Sequence, residues 1–197
     1  MLLRPFLDLL FPKLCAHCKE PTEGDYFCPL CWQESSPLAL DSRCHHCFEL
    51  LETSDNLCST CRHHPLLPFV RAAVFDRNAP IRTLKNSRDT TQAMAAFAYY
   101  QWLRLSWESV NLIAPIPPQR SSIACAFAEL AHLPCPNLLR RRAWPLNTDF
   151  WEVRDILEEG ESILLFDDDC TSAELQLACK AISHAFPKRV YLLSLFY

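Results

Sequence analysis

Apolar and polar positions change their rhythm near residue 68. Beyond it, short apolar runs alternate with longer stretches of helical character. Val70 to Phe75 reads as a strand. Thr90 to Trp107 contains neither Gly nor Pro and carries Met94, Phe97, Trp102 and Leu105, which predicts a long helix. Asn111 to Ile116 is a second strand, stopped by Pro117 and Pro118, and Ser121 to Leu133 is a helix that Ser121 can cap. Glu161 to Phe166 is an apolar strand running into Asp167, Asp168 and Asp169. Thr171 to Phe186 is helical, and Arg189 to Phe196 is a last strand. Strands that alternate with helices predict a parallel, helix-covered sheet over 69–197. At the other end, Leu3, Phe6, Leu7 and Leu10 fall at helical spacing and predict a short amphipathic helix.

Residues 1–68 obey a different pattern, set by cysteine. Cys15, Cys18, Cys28 and Cys31 read C-x2-C-x9-C-x2-C, and Cys44, Cys47, Cys58 and Cys61 read C-x2-C-x10-C-x2-C. Two cysteines three apart in a tight turn present both sulfurs to one metal, and a second turn completes a tetrahedral thiolate cage. Eight such residues predict two structural Zn2+ ions. The spacing fits adjacent pairs or alternating pairs equally well. Disulfides and redox pairs are the competing readings. They fit poorly, because four C-x2-C units at metal-ligand spacing exceed what a redox motif uses. The segment has few large apolar side chains, so metal binding, worth roughly 10–16 kcal/mol in such modules, supplies its folding energy. Lys19, Trp32, Phe48 and Arg62 follow the second cysteine of each turn, where Gly is common, and predict backbone strain. His17, His45, His46, His63 and His64 lie close by and read as solvated or as partners of the ligands. Cys125, Cys135, Cys170 and Cys179 are scattered singly.

Composition narrows the functional classes. The formal net charge of -4 argues against a generic nucleic-acid surface, yet residues 69–142 hold ten Lys/Arg against four Asp/Glu. Any polyanion is therefore met by the middle of the chain. Only two glycines occur among 197 residues, which leaves few places for backbone to wrap a phosphate. Asp8 inside the opening apolar run, and the lack of a small-residue cleavage site, argue against a signal peptide. No apolar run has the length of a transmembrane segment, and the expected location is cytoplasmic.

The opening Leu7-Asp8-Leu9-Leu10-Phe11-Pro12-Lys13-Leu14-Cys15-Ala16-His17-Cys18 resembles that of ComF-family proteins. So do the double cysteine motif, Leu84-Lys85, Pro115-Ile116-Pro117 with Arg120, and the Asp-Asp strand end. The resemblance implies an α/β chain in which an N-terminal double four-cysteine zinc module, with its amphipathic helix, occupies 1–68. A parallel-sheet phosphoribosyltransferase-like domain then occupies 69–197. It implies a role in natural competence, DNA uptake or single-stranded DNA handling, with competence or recombination proteins as partners. It also implies that Asp167 and Asp168 meet ribose hydroxyls, that Thr171 and Ser172 face a 5′-phosphate, and that Lys85 and Arg120 lie near a pyrophosphate. Mg2+ is expected only if phosphoribosyl pyrophosphate binds.

Departures from the family pattern point away from catalysis. Ala173 and Leu175 replace the usual Gly and Thr of the phosphate loop, and Asp169 stands where an apolar residue is usual. Ser121 to Phe127 has no basic residue and no Gly. The expected function is a non-catalytic zinc protein. Arg140, Arg141 and Arg142 would contact single strands and Trp144 would stack on bases; a solvated loop is the plain alternative for that triplet. Two other readings stand beside it. One is an active phosphoribosyltransferase. The other is a zinc-based protein adaptor with Trp32, Phe48 and Phe69 as a contact face; a place in the core is the equal alternative for these aromatics.

Overall fold

A computed structural model describes residues 12–23, 26–52, 55–63, 69–116, 121–143, 149–153, 160–169, 172–185 and 187–197; for 141–143, 149, 150 and 172 only the backbone is described. The amphipathic helix expected at the start lies outside these residues.

Four strands form a parallel sheet in the order β1-β6-β5-β2: β1 (Phe69–Phe75), β6 (Arg189–Phe196), β5 (Ser162–Asp167) and β2 (Leu112–Pro115). The near-continuous apolar runs of β5 and β6 are what a parallel sheet buried on both faces requires. Alternation divides them. Leu164 and Phe166 of β5, with Tyr191, Leu193 and Leu195 of β6, face one core. Ile163 and Leu165, with Val190 and Leu192, face the other.

Two helices cover the first face. Helix α3 (Thr91–Arg104) packs against α4 (Ser122–Ala131), with Trp102 meeting Phe127 edge-on at 5.8 Å. The expected stretch from residue 90 to 107 is shorter as a helix, because the backbone turns extended at Leu105 and Thr90 belongs to a preceding 3₁₀ turn. Ser121 caps α4 as expected, its hydroxyl accepting from the Ala124 N–H at 3.1 Å. Helix α5 (Ser172–Ser183) covers the second face, beside an antiparallel hairpin of β3 (Leu139–Ala143) and β4 (Asp149–Val153). The hairpin was not expected from the sequence. The alternative reading of the arginine triplet as a solvated loop is thereby corrected: residues 140–142 are strand residues paired with 150–152.

The cysteine-rich segment carries two short helices, α1 (Pro29–Glu34) and α2 (Ser59–His63), and packs on the first face. Cys15, Phe27, Cys31 and Phe48 share one apolar cluster with Ala72, Val74 and Met94. Backbone joins them as well. The Arg71 N–H donates to the His46 carbonyl at 2.8 Å, and the Leu38 N–H to the Val74 carbonyl at 2.7 Å. Strand β1 is an edge of the sheet, so these bonds occupy an edge that would otherwise invite pairing with another chain. Among the described residues no helix is long and apolar enough to cross a membrane.

Candidate metal centres and the acidic strand end

Each cysteine motif folds twice. The first C-x2-C closes a tight turn in which the Lys19 N–H donates to the Cys15 carbonyl at 3.1 Å and the Cys15 N–H to the Glu20 carbonyl at 2.9 Å. Its counterpart repeats both bonds, Phe48 to Cys44 at 2.9 Å and Cys44 to Glu49 at 2.8 Å. The second C-x2-C of each motif is the start of a helix. Cys28 precedes α1, whose first residue is Pro29, and a proline costs nothing where the N–H has no helical partner. The Trp32 N–H then reaches the Cys28 carbonyl, and the Arg62 N–H the Cys58 carbonyl, both at 3.0 Å.

The expected strain is present at half of its positions. Lys19 and Phe48 adopt φ of 65° and 69°, in the left-handed region that favours glycine. Trp32 and Arg62 lie within α1 and α2 and escape it.

These turns bring the sulfurs into two groups. Cys15, Cys18, Cys28 and Cys31 lie within 4.8 Å of one another, and so do Cys44, Cys47, Cys58 and Cys61. Adjacent pairs therefore share a site, which the spacing alone left open. The Cys18–Cys28 and Cys47–Cys58 sulfurs are 3.7 and 3.6 Å apart. Sulfurs 2.3 Å from one tetrahedral zinc lie about 3.8 Å from each other, whereas a disulfide needs about 2.05 Å. The donor set, four soft thiolates and no open position, is that of a structural zinc site.

Electrostatics prepare one ligand in each cage. Burial works against ionising Cys15, but the N–H groups of Cys28, Cys18 and His17 outweigh it and bring the thiol down to about 6. At Cys44 burial is overcome in the same way by Cys47, Cys58 and His46, again to about 6. Cys31 and Cys61 are pushed up, by burial first and by neighbouring sulfurs second. Cys15 and Cys44 are thus the ligands most readily ionised ahead of the metal, whose binding displaces thiol protons. Among the described histidines, His46 places Nδ1 at 3.6 Å from Cys61 Sγ and orients a ligand without replacing it. Both metal groups consist of cysteine alone.

At the far end of β5 the acidic triplet separates into three environments. Asp167 is 3% exposed, and its Oδ1 accepts from the Asp169 N–H at 3.0 Å. Asp168 is half-buried. Asp169 is clamped: its Oδ1 takes a 2.7 Å bond from Arg82 and its Oδ2 a 2.9 Å bond from Lys85, both from the turn after β1. Burial alone would raise the Asp169 carboxyl, but the hydrogen bonds from Lys85 and then Arg82 hold it below its usual value. Sequence reasoning singled out Lys85 and the charge of Asp169 but missed Arg82.

Other expected residues are more scattered. Arg120, Thr171 and Trp144 lie outside the described residues, and Ser172 opens α5 with only its backbone described. Arg140 is exposed and pairs across the hairpin with Glu152; Arg141 and Arg142 share its strand. Of the three aromatics for which a contact face and a place in the core were both open, Phe48 and Phe69 are buried in the core. Trp32 is exposed, with its ring meeting Phe27 edge-on at 5.3 Å.

Fold and sites together define a protein with two N-terminal four-cysteine zinc modules followed by an α/β domain on a parallel central sheet. Comparison with known families agrees for the first part: residues 6–62 match the double zinc ribbon domain. No curated protein matches the chain.

Proposed function

We propose that this chain is a ComF-like zinc protein whose phosphoribosyltransferase-like domain is non-catalytic and which acts on single-stranded DNA in uptake or recombination. The observation that carries the loss of catalysis is the Asp169 clamp. A carboxylate of the chain itself already occupies Lys85 and Arg82, at 2.9 and 2.7 Å. An incoming pyrophosphate would have to displace that internal anion before it could use Lys85, and it would meet a negative charge where the family carries an apolar side chain. The replaced Gly and Thr at Ala173 and Leu175 weaken the phosphate loop further. Asp167 and Asp168 remain in place, which favours descent from a phosphoribosyl-binding ancestor over an unrelated sheet. The DNA role is supported by the cationic middle segment and by the exposed Arg140 on β3.

Calorimetric titration with phosphoribosyl pyrophosphate and Mg2+ tests the first half. The expected Kd is weaker than about 100 μM, or roughly 5.5 kcal/mol. Asp169→Ala, which frees both cations, tightens it by about tenfold. Tighter binding by the unaltered chain, or turnover with any nucleobase, overturns the reading. Anisotropy with a labelled single strand tests the second half. Reversing Arg140, Arg141 and Arg142 to Glu lowers the slope of log affinity against log salt by at least about two, since each phosphate contact contributes roughly 0.7. An unchanged slope removes the triplet from the interface.

A further inference from the structure

A hollow lies away from the acidic strand end. About 330 Å³ opens between the second zinc ribbon, the first residues of β1 and β6, and the segment that follows α3. That volume is at the lower end of small-molecule sites. Each wall supplies an arginine: Arg43 from the ribbon, Arg71 from β1, Arg104 from the end of α3, and Arg189 from the start of β6. Among the described lining residues the single carboxylate is Glu108. An aromatic wall completes the cavity, where Trp107 stacks on Tyr191 with centroids 4.8 Å and planes 22° apart.

Internal partners do not account for all of this cationic capacity. Arg43 donates to the Phe48 carbonyl at 3.0 Å and lies over the Phe48 ring at 4.8 Å, so it is fixed in the wall. Cys44 also lines the cavity, and its cage carries about two negative charges when zinc is bound. Arg71 lies over the Tyr197 ring at 5.0 Å, and its Nε is buried with no hydrogen-bond partner among the described residues. Arg104 gives one nitrogen to the neutral Gln101 carboxamide at 3.1 Å and lies over the exposed Tyr100 ring at 5.4 Å, and it meets no carboxylate among the described residues. Arg189 is held by Glu108 at 3.0 Å, on the surface, where an exposed pair is worth little and yields readily to a stronger anion.

We infer that this cavity binds a nucleoside phosphate. The phosphate is taken by Arg104 and Arg189, displacing Glu108, and the base packs on the half-buried Trp107, which the buried Tyr191 ring backs. Guanidinium forks match phosphate oxygens in pairs, and flat apolar walls take any base without reading its edge. Parallel-sheet folds place their ligands at the carboxyl ends of the strands. This cavity is at the opposite ends of β1 and β6, so it is separate from the acidic triplet.

Calorimetry on the full zinc-loaded chain tests the inference, with AMP, inorganic phosphate and a ten-residue oligothymidylate as probes. AMP is expected to bind saturably at one per chain and at least tenfold more tightly than inorganic phosphate. Arg104→Glu weakens AMP at least tenfold. Glu108→Gln tightens it severalfold, an effect that a purely structural ion pair would not produce, and it decides the matter if Arg104→Glu fails to fold. The oligonucleotide arm distinguishes the source. Binding of both probes through Arg104 assigns the site to a strand terminus, and binding of AMP alone assigns it to a free nucleotide. Failure of AMP to saturate at millimolar concentration, equal affinity for inorganic phosphate, or indifference to Glu108→Gln each overturns the assignment.

Discussion

Lys19 and Phe48 occupy the same place in the two zinc ribbons, at the same strained φ, yet one is a surface lysine and the other a core phenylalanine. The ribbons share a backbone plan down to individual hydrogen bonds and differ in what they lean on. The first holds the α/β domain through neutral groups. Ser35 Oγ is buried, donates to the Cys31 carbonyl at 2.7 Å and accepts from the Ile81 N–H at 3.1 Å. The second holds it through charged and aromatic groups. Phe48 meets the Tyr197 ring at 5.8 Å, the Tyr197 hydroxyl donates to Glu49 at 2.9 Å, and the Arg43 guanidinium covers both rings. Equal metal cages thus make unequal joints. The first has an anchor in which neither group ionises; the second is bordered by a cationic cavity and is expected to respond to pH and salt.

The largest effects should erase the difference. Chelation, or Cys15→Ser or Cys44→Ser alone, removes metal-derived folding energy that reaches roughly 10–16 kcal/mol in isolated zinc modules. Either substitution is expected to release one zinc per chain by metal analysis and to expose the shared cluster to a hydrophobic dye. If one cage empties while thermal unfolding stays unchanged, the ribbons are not part of the fold's stability.

Core truncation comes next. Phe27→Ala and Phe48→Ala each remove a buried ring from the joint between ribbon and sheet, and each should cost about 3–5 kcal/mol in urea unfolding. A much smaller loss at Phe48 would mean that the second ribbon is only loosely seated.

The anchors themselves separate the ribbons by pH. Burial first, and the Glu49 carboxylate second, raise the Tyr197 hydroxyl from 10.0 to about 12. A raised folded value means that the anchor's contribution is complete below pH 10 and is lost as pH climbs towards 12. The stability lead of the unaltered chain over Tyr197→Phe, about 1 kcal/mol at neutral pH, should therefore shrink across that window. The lead over Ser35→Ala, about 1–3 kcal/mol because the Ile81 N–H is left dry, should not shrink through titration of the anchor, since neither group of that anchor ionises. Equal alkaline sensitivity of the two differences would contradict the contrast.

The smallest effect concerns strain. Lys19→Gly relieves a left-handed residue with little packing to lose and should stabilise the first ribbon by about 1 kcal/mol by denaturant midpoint. Phe48→Gly relieves the same strain but forfeits a buried ring, so its net effect has the opposite sign.

How much of this was legible beforehand follows from the range of the forces involved. The cages were visible because ligand chemistry fixes both residue type and local spacing. Which pairs share an ion was not, since both arrangements satisfy the same spacing. The strands of the parallel sheet stood out as apolar runs, and the Ser121 cap as a local hydrogen-bonding preference. The β3–β4 hairpin was hidden because three consecutive arginines look like a solvated turn, and only pairing with 150–152 makes them a strand. The clamp on Asp169 and the cavity beside the second ribbon were beyond reach for one reason. Arg82 and Lys85 lie more than eighty positions from Asp169, and the cavity gathers residues from Leu40 to Tyr191. Such meetings are decided by the fold as a whole.

Gln101 ties the strip between the two ribbons to the sheet domain. Its amide is fully buried and divides its two protons between the Leu38 carbonyl, in the strip joining the ribbons, and the Ala73 carbonyl of β1, at 2.9 and 3.1 Å. A pull on the strip between the ribbons is therefore borne by a helix of the α/β domain, and peeling the module away takes the Leu38 carbonyl from one buried Gln101 N–H while the Ala73 bond, inside the domain, stays. Detachment thus leaves a buried amide proton without its partner, a cost that opposes loss of the module in addition to what the metal contributes.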